Sequence, residues 1–152
     1  MATIRQQIVD KVVARFRGIS KRAGFATDIG QRVFATRPVK PTAAETTRGV
    51  LNIWDLEQEH KVGPVSGVHE YLLTISVFLA YEGADAAEVI RTVLSDVAMA
   101  IGAGPTWDGL AVESTPLKDE YQLNQANDLT GDVRYQFKIR YRTKAWDHNT
   151  AA

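Results

Sequence analysis

The chain contains no cysteine. That absence removes disulfides, thiolate nucleophiles and every cysteine-based metal centre at once. Histidine is scarce as well: His60, His69 and His148 are the 3 present. His60 and His69 flank an expected turn, with Glu57, Glu59 and Glu70 nearby in sequence. Neither the helical H-E-x-x-H arrangement nor another standard ligand spacing accompanies them, and the polar face of a hairpin accounts for them equally well. A G-x-S-x-G elbow is missing. "GAGP" closes a helical pattern instead of opening one, so it is no phosphate cradle. The expectation is a protein that is not an enzyme and binds no metal or other cofactor. From a different class, a small cytoplasmic enzyme or ligand-binding protein with an unrecognised pocket stays open as the alternative. No apolar run approaches the ~20 residues that span a bilayer. The opening "MATIRQQIVDK" also lacks the apolar centre of a secretory signal. A cytoplasmic location and no membrane partner are therefore expected.

What is present is an ordinary globular composition, 45% hydrophobic and 24% charged over 152 residues. That length suits one domain with a real core, so 1–152 is read as a single domain. The net charge of zero hides a segregation. Residues 1–40 hold nine Lys/Arg against two Asp, residues 41–130 hold four against fourteen Asp/Glu, and residues 131–152 hold five against two. Such blocks either pair within the fold or leave unlike surfaces suited to head-to-tail association.

The spacing predicts a helix over 3–17, with Ile4, Ile8, Val12 and Phe16 at i+4, Val9 and Val13 widening the stripe, and Gly18 as its stop. A loop over 18–30 and a short strand in "QRVFA" follow. Residues 36–49, "TRPVKPTAAETTRG", with two prolines and four threonines, read as a long projecting loop. Arg37, Lys40, Glu45 and Arg48 on it are candidate interface residues. "VLNIWDLEQEHKV" reads as a strand, "VGPVSG" as a turn, and 68–81 as a central strand with Tyr71, Leu73, Ile75, Val77 and Leu79 on one face. A second helix is expected over 85–101, capped by Asp85 with Glu88 three residues on. Its row of Val89, Val93, Val97 and Ile101 is core, not a cofactor groove. Pro116 interrupts the next strand and marks it as an edge or a bulge. "NQANDLTGD" is a turn, and 145–152 is a tail expected to fray. The order α-β-β-β-α-β-β indicates α+β: a mostly antiparallel sheet of about five strands with two helices packed on one face.

The last strand, "GDVRYQFKIRYRTKAWD", alternates almost without a fault. Val133, Tyr135, Phe137, Ile139 and Tyr141 share one parity; Arg134, Gln136, Lys138, Arg140 and Arg142 share the other. Cations in a row can track a phosphate backbone. Modules that read sequence add stacking aromatics to the same face, whereas here the aromatics take the core parity, so specific nucleic-acid recognition is disfavoured. Three readings of Arg134, Lys138, Arg140 and Arg142 stay open: pairing with the acidic middle region, a subunit contact, or a non-specific electrostatic lining.

Taken in order, "IRQQIVDKVVARF", then "HEYLLTISVFLAYEGADAAEVIRTVLSDVAMAI", "PTWDGLAVEST" and "VRYQFKIRYRT" resemble the tail terminator family of long-tailed bacteriophages over nearly the whole chain. The resemblance is most specific over 69–143. Trp107, Asp108, Gly109 and Leu110 match its turn after the second helix, and these are fold markers, not catalytic residues. The resemblance implies a structural protein of phage or prophage that assembles in the host cytoplasm and ends in the virion tail. Such proteins form a ring, typically a hexamer, on the end of the tail tube, stop its polymerisation and offer a surface for head joining. The implied partners are further copies of the chain, the tail tube protein and the head–tail connector protein, with DNA passing non-specifically through the ring.

Overall fold

The computed structural model describes residues 2–124 and 130–152. The first helix, α1 (Ile4–Arg17), begins where the Thr3 hydroxyl accepts from the Gln6 N–H at 3.1 Å and ends at Gly18. Its expected stripe is the buried one, Ile4, Ile8, Val9, Val12, Val13 and Phe16. The strands are β1 (Val33–Ala35), β2 (Val50–Val62), β3 (Val68–Glu82), β4 (Glu113–Asn124), β5 (Thr130–Lys144) and β6 (Asp147–Ala151), with α2 (Ala43–Thr46) between β1 and β2 and α3 (Ala86–Gly102) between β3 and β4. They form one sheet in the order β1-β2-β3-β5-β4, with β6 also pairing with β5. Every pairing is antiparallel except β1 with β2. The α+β architecture is as expected.

That parallel pair explains the long 36–49 segment. Neighbouring parallel strands cannot be joined by a tight turn, and the crossover between them needs a dozen or more residues. The segment does not simply project. It carries the one-turn α2, started by a capping box between Thr42 and Glu45. It is tied down where Asn52 Oδ1 accepts from the Arg37 N–H at 3.1 Å and Asn52 Nδ2 donates to the Arg37 carbonyl at 2.7 Å.

Alternation decides the two faces of the sheet. Tyr71, Leu73, Ile75, Val77 and Leu79 of β3, with Val133, Phe137, Ile139 and Tyr141 of β5, are buried with the apolar stripes of α1 and α3 in one core. Both long helices therefore lie on one face. The α3 stripe is centred on Ile90, Val93, Leu94, Val97 and Ala100, a little around the helix from the expected row, with Val89 and Ile101 only partly buried. Trp107, fully buried, closes the core beneath the Arg15 guanidinium, which lies 4.0 Å from the indole centroid and donates to the Gly104 carbonyl beyond the end of α3. The indole N–H donates to the Ser114 hydroxyl at 2.8 Å. Buried Asp96 of α3 holds the loop between α1 and β1, accepting from the N–H groups of Ala26 and Thr27 and from the Thr27 hydroxyl at 3.0, 2.8 and 2.6 Å.

Three expectations are corrected. Residues 147–151, expected to fray, form β6, a sixth strand, because β5 runs on past the start of β4 and leaves an open edge, where Thr143 pairs with Ala151. Asp85 makes no side-chain cap; its carboxylate accepts from the Tyr81 hydroxyl at 2.8 Å instead. Residues 43–46, expected as part of a loop, form the one-turn α2. Pro116 does sit on an edge strand and at a bulge, since β4 pairs only with β5 and its register shifts between Pro116 and Lys118. The turn expected over 124–132 lies partly outside the described residues. Among the described residues no helix is long and apolar enough to cross a membrane.

Candidate functional site

The face of the sheet opposite the helices carries the row of cations, and strand register decides what each one meets. On β5, Arg142 lies opposite Glu70, Arg140 opposite Leu72 and Glu113, Lys138 opposite Thr74 and Thr115, and Arg134 opposite Phe78 and Glu120. Arg142 Nε donates to Glu70 Oε1 at 3.0 Å. Arg140 sits between two carboxylates, 3.8 Å from Glu70 and 3.4 Å from Glu113. Arg134 donates to Glu120 at 2.6 Å, and Lys118 reaches the other oxygen of Glu120 at 2.8 Å. The hydrogen bond from Lys118, helped by the charge of Arg134, holds the Glu120 carboxyl below its ordinary range. Lys138 is the member of the row with no carboxylate within 4.0 Å among the described residues. Between the charged groups, Thr74, Ser76 and Gln136 are buried, and Gln136 Nε2 donates to the Ser76 hydroxyl at 2.9 Å.

Three of the four cations thus have partners in the same subunit, drawn from β3 and β4 in the acidic middle of the chain. Glu70 is the shared one; only 13% of its side chain is exposed, against about a third for Arg140 and Arg142. The row is part of a cross-strand network, which relieves the repulsion that four aligned charges would otherwise create.

The second candidate group lies on the crossover. Arg37 and Glu45 meet through paired hydrogen bonds of 2.6 and 2.9 Å, and the Arg37 guanidinium lies 4.3 Å from the Phe34 ring centroid. Arg37, followed by the Thr42 N–H, pulls the Glu45 carboxyl down to about 2. Lys40 and Arg48 are exposed, and the Arg48 N–H donates to the Glu45 carbonyl at 3.2 Å. Together the crossover and the uncovered face enclose a groove of about 420 Å³. Its apolar lining includes Pro41, Val50, Phe78 and Ala80, and Glu120 and Asp132 stand along it.

At the other end of the sheet the histidines occupy aromatic contacts. His60 packs edge-on to Tyr71 at 4.9 Å between ring centroids, and His69 packs on Trp146 at 4.8 Å. His148 lies 5.7 Å from Tyr71. Among the described residues no three His, Asp or Glu side chains are placed to share an ion. Tyr141, stacked on Tyr71, is buried and its phenol is pushed up to about 12 by that burial.

Sequence reasoning missed two features. The groove forms from residues distant along the chain, and no local pattern announces it. Trp146, in the segment expected to fray, stands 88% exposed in the turn between β5 and β6. A large aromatic beside a strand terminus was the available signal. No protein-family model matches the chain, and no curated protein matches it.

Proposed function

We propose that this chain is a ring-forming structural subunit of the tail terminator kind, closing the end of a phage tail tube and presenting a surface for head joining. The observation that carries the reading is the unlikeness of the two ends of the sheet: a groove under the crossover at one, and exposed Trp146 and Val62 on either side of His69 at the other. A closed ring needs two different, complementary surfaces on each subunit, because its contacts are heterologous. The element order and the placing of both long helices on one face support the same reading, although such a fold by itself hosts many functions. The cations of β5 enter it as the frame of the subunit, with Lys138 left over for a passing phosphate backbone or a neighbour.

Imaging of the purified chain by negative-stain microscopy, with its mass in solution, tests the reading. Rings of about 100 kDa are expected for six copies of the 16.8 kDa chain. A monomer at every concentration, unable to complete tails in an assembly extract, would sink it. The groove favours a second reading, a small ligand-binding protein, because ligand pockets occupy roughly 300–1,000 Å³. A strict monomer in the same experiment would favour that one.

A further inference from the structure

We infer that the corner of the subunit where α1 ends and β1 and β2 begin binds the phosphate backbone of a nucleic acid duplex without regard to its sequence. Each copy makes the contact on its own, so it stands whether or not the copies close into a ring.

The fold assembles this corner from separate stretches of the chain. Arg17 ends α1, and Lys21 and Arg22 stand on the short 3-10 turn Lys21–Ala23 that follows it. Arg32 immediately precedes β1, and Arg48 stands just before β2. Backbone contacts hold the stretches together: the Gly30 N–H donates to the Ile19 carbonyl at 3.1 Å, and Arg17 Nε donates to the Val33 carbonyl at 3.3 Å. Arg32 reaches to the start of β2, where Nε donates to the Gly49 carbonyl at 2.6 Å and Nη2 to the Arg48 carbonyl at 2.9 Å. None of these cations has a carboxylate within 4.0 Å among the described residues. Two acids come near. Asp28 accepts from the Lys21 N–H at 2.9 Å, and Glu82 accepts from the Thr46 hydroxyl at 3.3 Å. A chain of zero net charge thus gathers five cations against two acids at one corner.

Edge protection does not account for all of them. β1 is an edge strand, and Arg17 occupies its Val33 carbonyl, a common way to blunt such an edge. The side chains of Lys21, Arg22 and Arg48 are exposed and bond to nothing among the described residues. Arg32 is half-buried, its fork fixed by the two carbonyls. Burial, then the charge of Arg48, pushes its guanidinium below the ordinary value, with Asp28 opposing. A cation desolvated beside a second cation is relieved by an anion from outside. Four of the five are arginines, whose planar donors fit phosphate oxygens. The apolar residues of the corner, Ile19, Ile29, Val33 and Val50, are all buried, so it lacks the apolar centre of a protein interface. It lacks a stacking platform as well. Phe25 packs against the core, and the Arg37 guanidinium lies over the Phe34 ring. Concentrated positive charge without apolar or aromatic surface suits backbone contact, which carries no sequence information.

Fluorescence anisotropy of a labelled DNA duplex of about 24 base pairs, titrated with the full chain between ~50 and ~200 mM salt, tests the inference. Four or five phosphate contacts predict a slope of about −4 in log affinity against log salt. Two duplexes of unrelated sequence should agree within about twofold. Arg22→Gln with Arg48→Gln should reduce the slope by about 2 and weaken binding at least tenfold at ~50 mM salt. Lys21→Gln with Arg22→Gln should act in the same direction, and both pairs should leave the circular dichroism spectrum unchanged. Lys138→Gln with Lys144→Gln, an equal change of net charge on β5, should shift the affinity by less than about twofold. Vesicles of anionic phospholipid should not retain the chain at ~150 mM salt. Absence of duplex binding at ~50 mM salt, equal losses from the corner and β5 pairs, or retention by the vesicles overturns the inference. Rings seen by microscopy without duplex binding would leave the ring reading standing and remove this contact. Duplex binding by a strict monomer would keep the contact and remove the ring.

Discussion

Reversing Arg140 and Arg142 together to Glu probes what the cationic row is for. In the folded subunit both face Glu70, whose side chain is only 13% exposed, and Arg140 also approaches Glu113 at 3.4 Å. Loss of a hydrogen bond to a charged group costs about 1.5–3 kcal/mol. Like charges placed ~4 Å apart at an effective dielectric of 20 repel by about 4 kcal/mol before anything moves. The arginines are about a third exposed, so their replacements will swing into water and most of that repulsion will be screened. A net loss of about 3–5 kcal/mol follows, a large share of the ~5–15 kcal/mol available to a domain. At about 2–4 °C per kcal/mol for a chain of this size, Tm should fall by roughly 6–20 °C. Thermal and urea unfolding followed by far-ultraviolet circular dichroism measure it. Adding Glu70→Arg to the double variant should restore part of the loss, which a non-specific effect would not allow. A Tm within about 2 °C of wild type would refute the pairing argument. A double variant that is fully stable but fails to assemble would instead move these arginines to a subunit contact.

The remaining predictions concern the core, a buried carboxylate and the crossover. Leu73→Ala and Ile139→Ala, at fully buried positions on the helix-covered face, should each cost about 2–5 kcal/mol in urea unfolding; a loss below ~1 kcal/mol would show the cavity argument to be wrong there. Asp96→Ala strands three donors of the 26–27 loop and should cost about 2–4 kcal/mol, with faster amide exchange at Ala26 and Thr27; unchanged exchange would contradict it. Glu45 is held down from 4.5 to about 2, so its contribution to holding the crossover is complete above pH 4.5 and fades as pH falls toward 2. A carboxyl-carbon titration of the folded chain should therefore have its midpoint near 2 for Glu45, and a midpoint near 4.5 would show that Arg37 does not hold it.

Much of the fold was legible because its signals are local. The i+4 row of α1 and the alternation of β3 and β5 each name a buried face, and those faces are the ones buried. Pro116 announced an edge strand because it has no N–H to donate to a ladder. The one-turn α2 was hidden by flanking prolines and threonines, although its Thr42–Glu45 capping box is written in the sequence. The fate of the tail was hidden for another reason. A polar five-residue strand has no pattern of its own, and β6 forms only because β5 extends beyond β4 and offers it an edge.

The alternation of residues 133–142 determined by itself that Arg134, Lys138, Arg140 and Arg142 would share one face and the aromatics the other. Side chains of a strand point up and down by turns whatever lies beside them. Which acid each cation meets was decided by the tertiary structure, because register is a property of two strands and not of one. Only the pairing of β3, β4 and β5 sets Glu70 and Glu113 around Arg140 and leaves Lys138 between two threonines. The parallel joining of β1 to β2 likewise made a crossover of a proline-rich segment, and with it a groove that no stretch of the sequence contains.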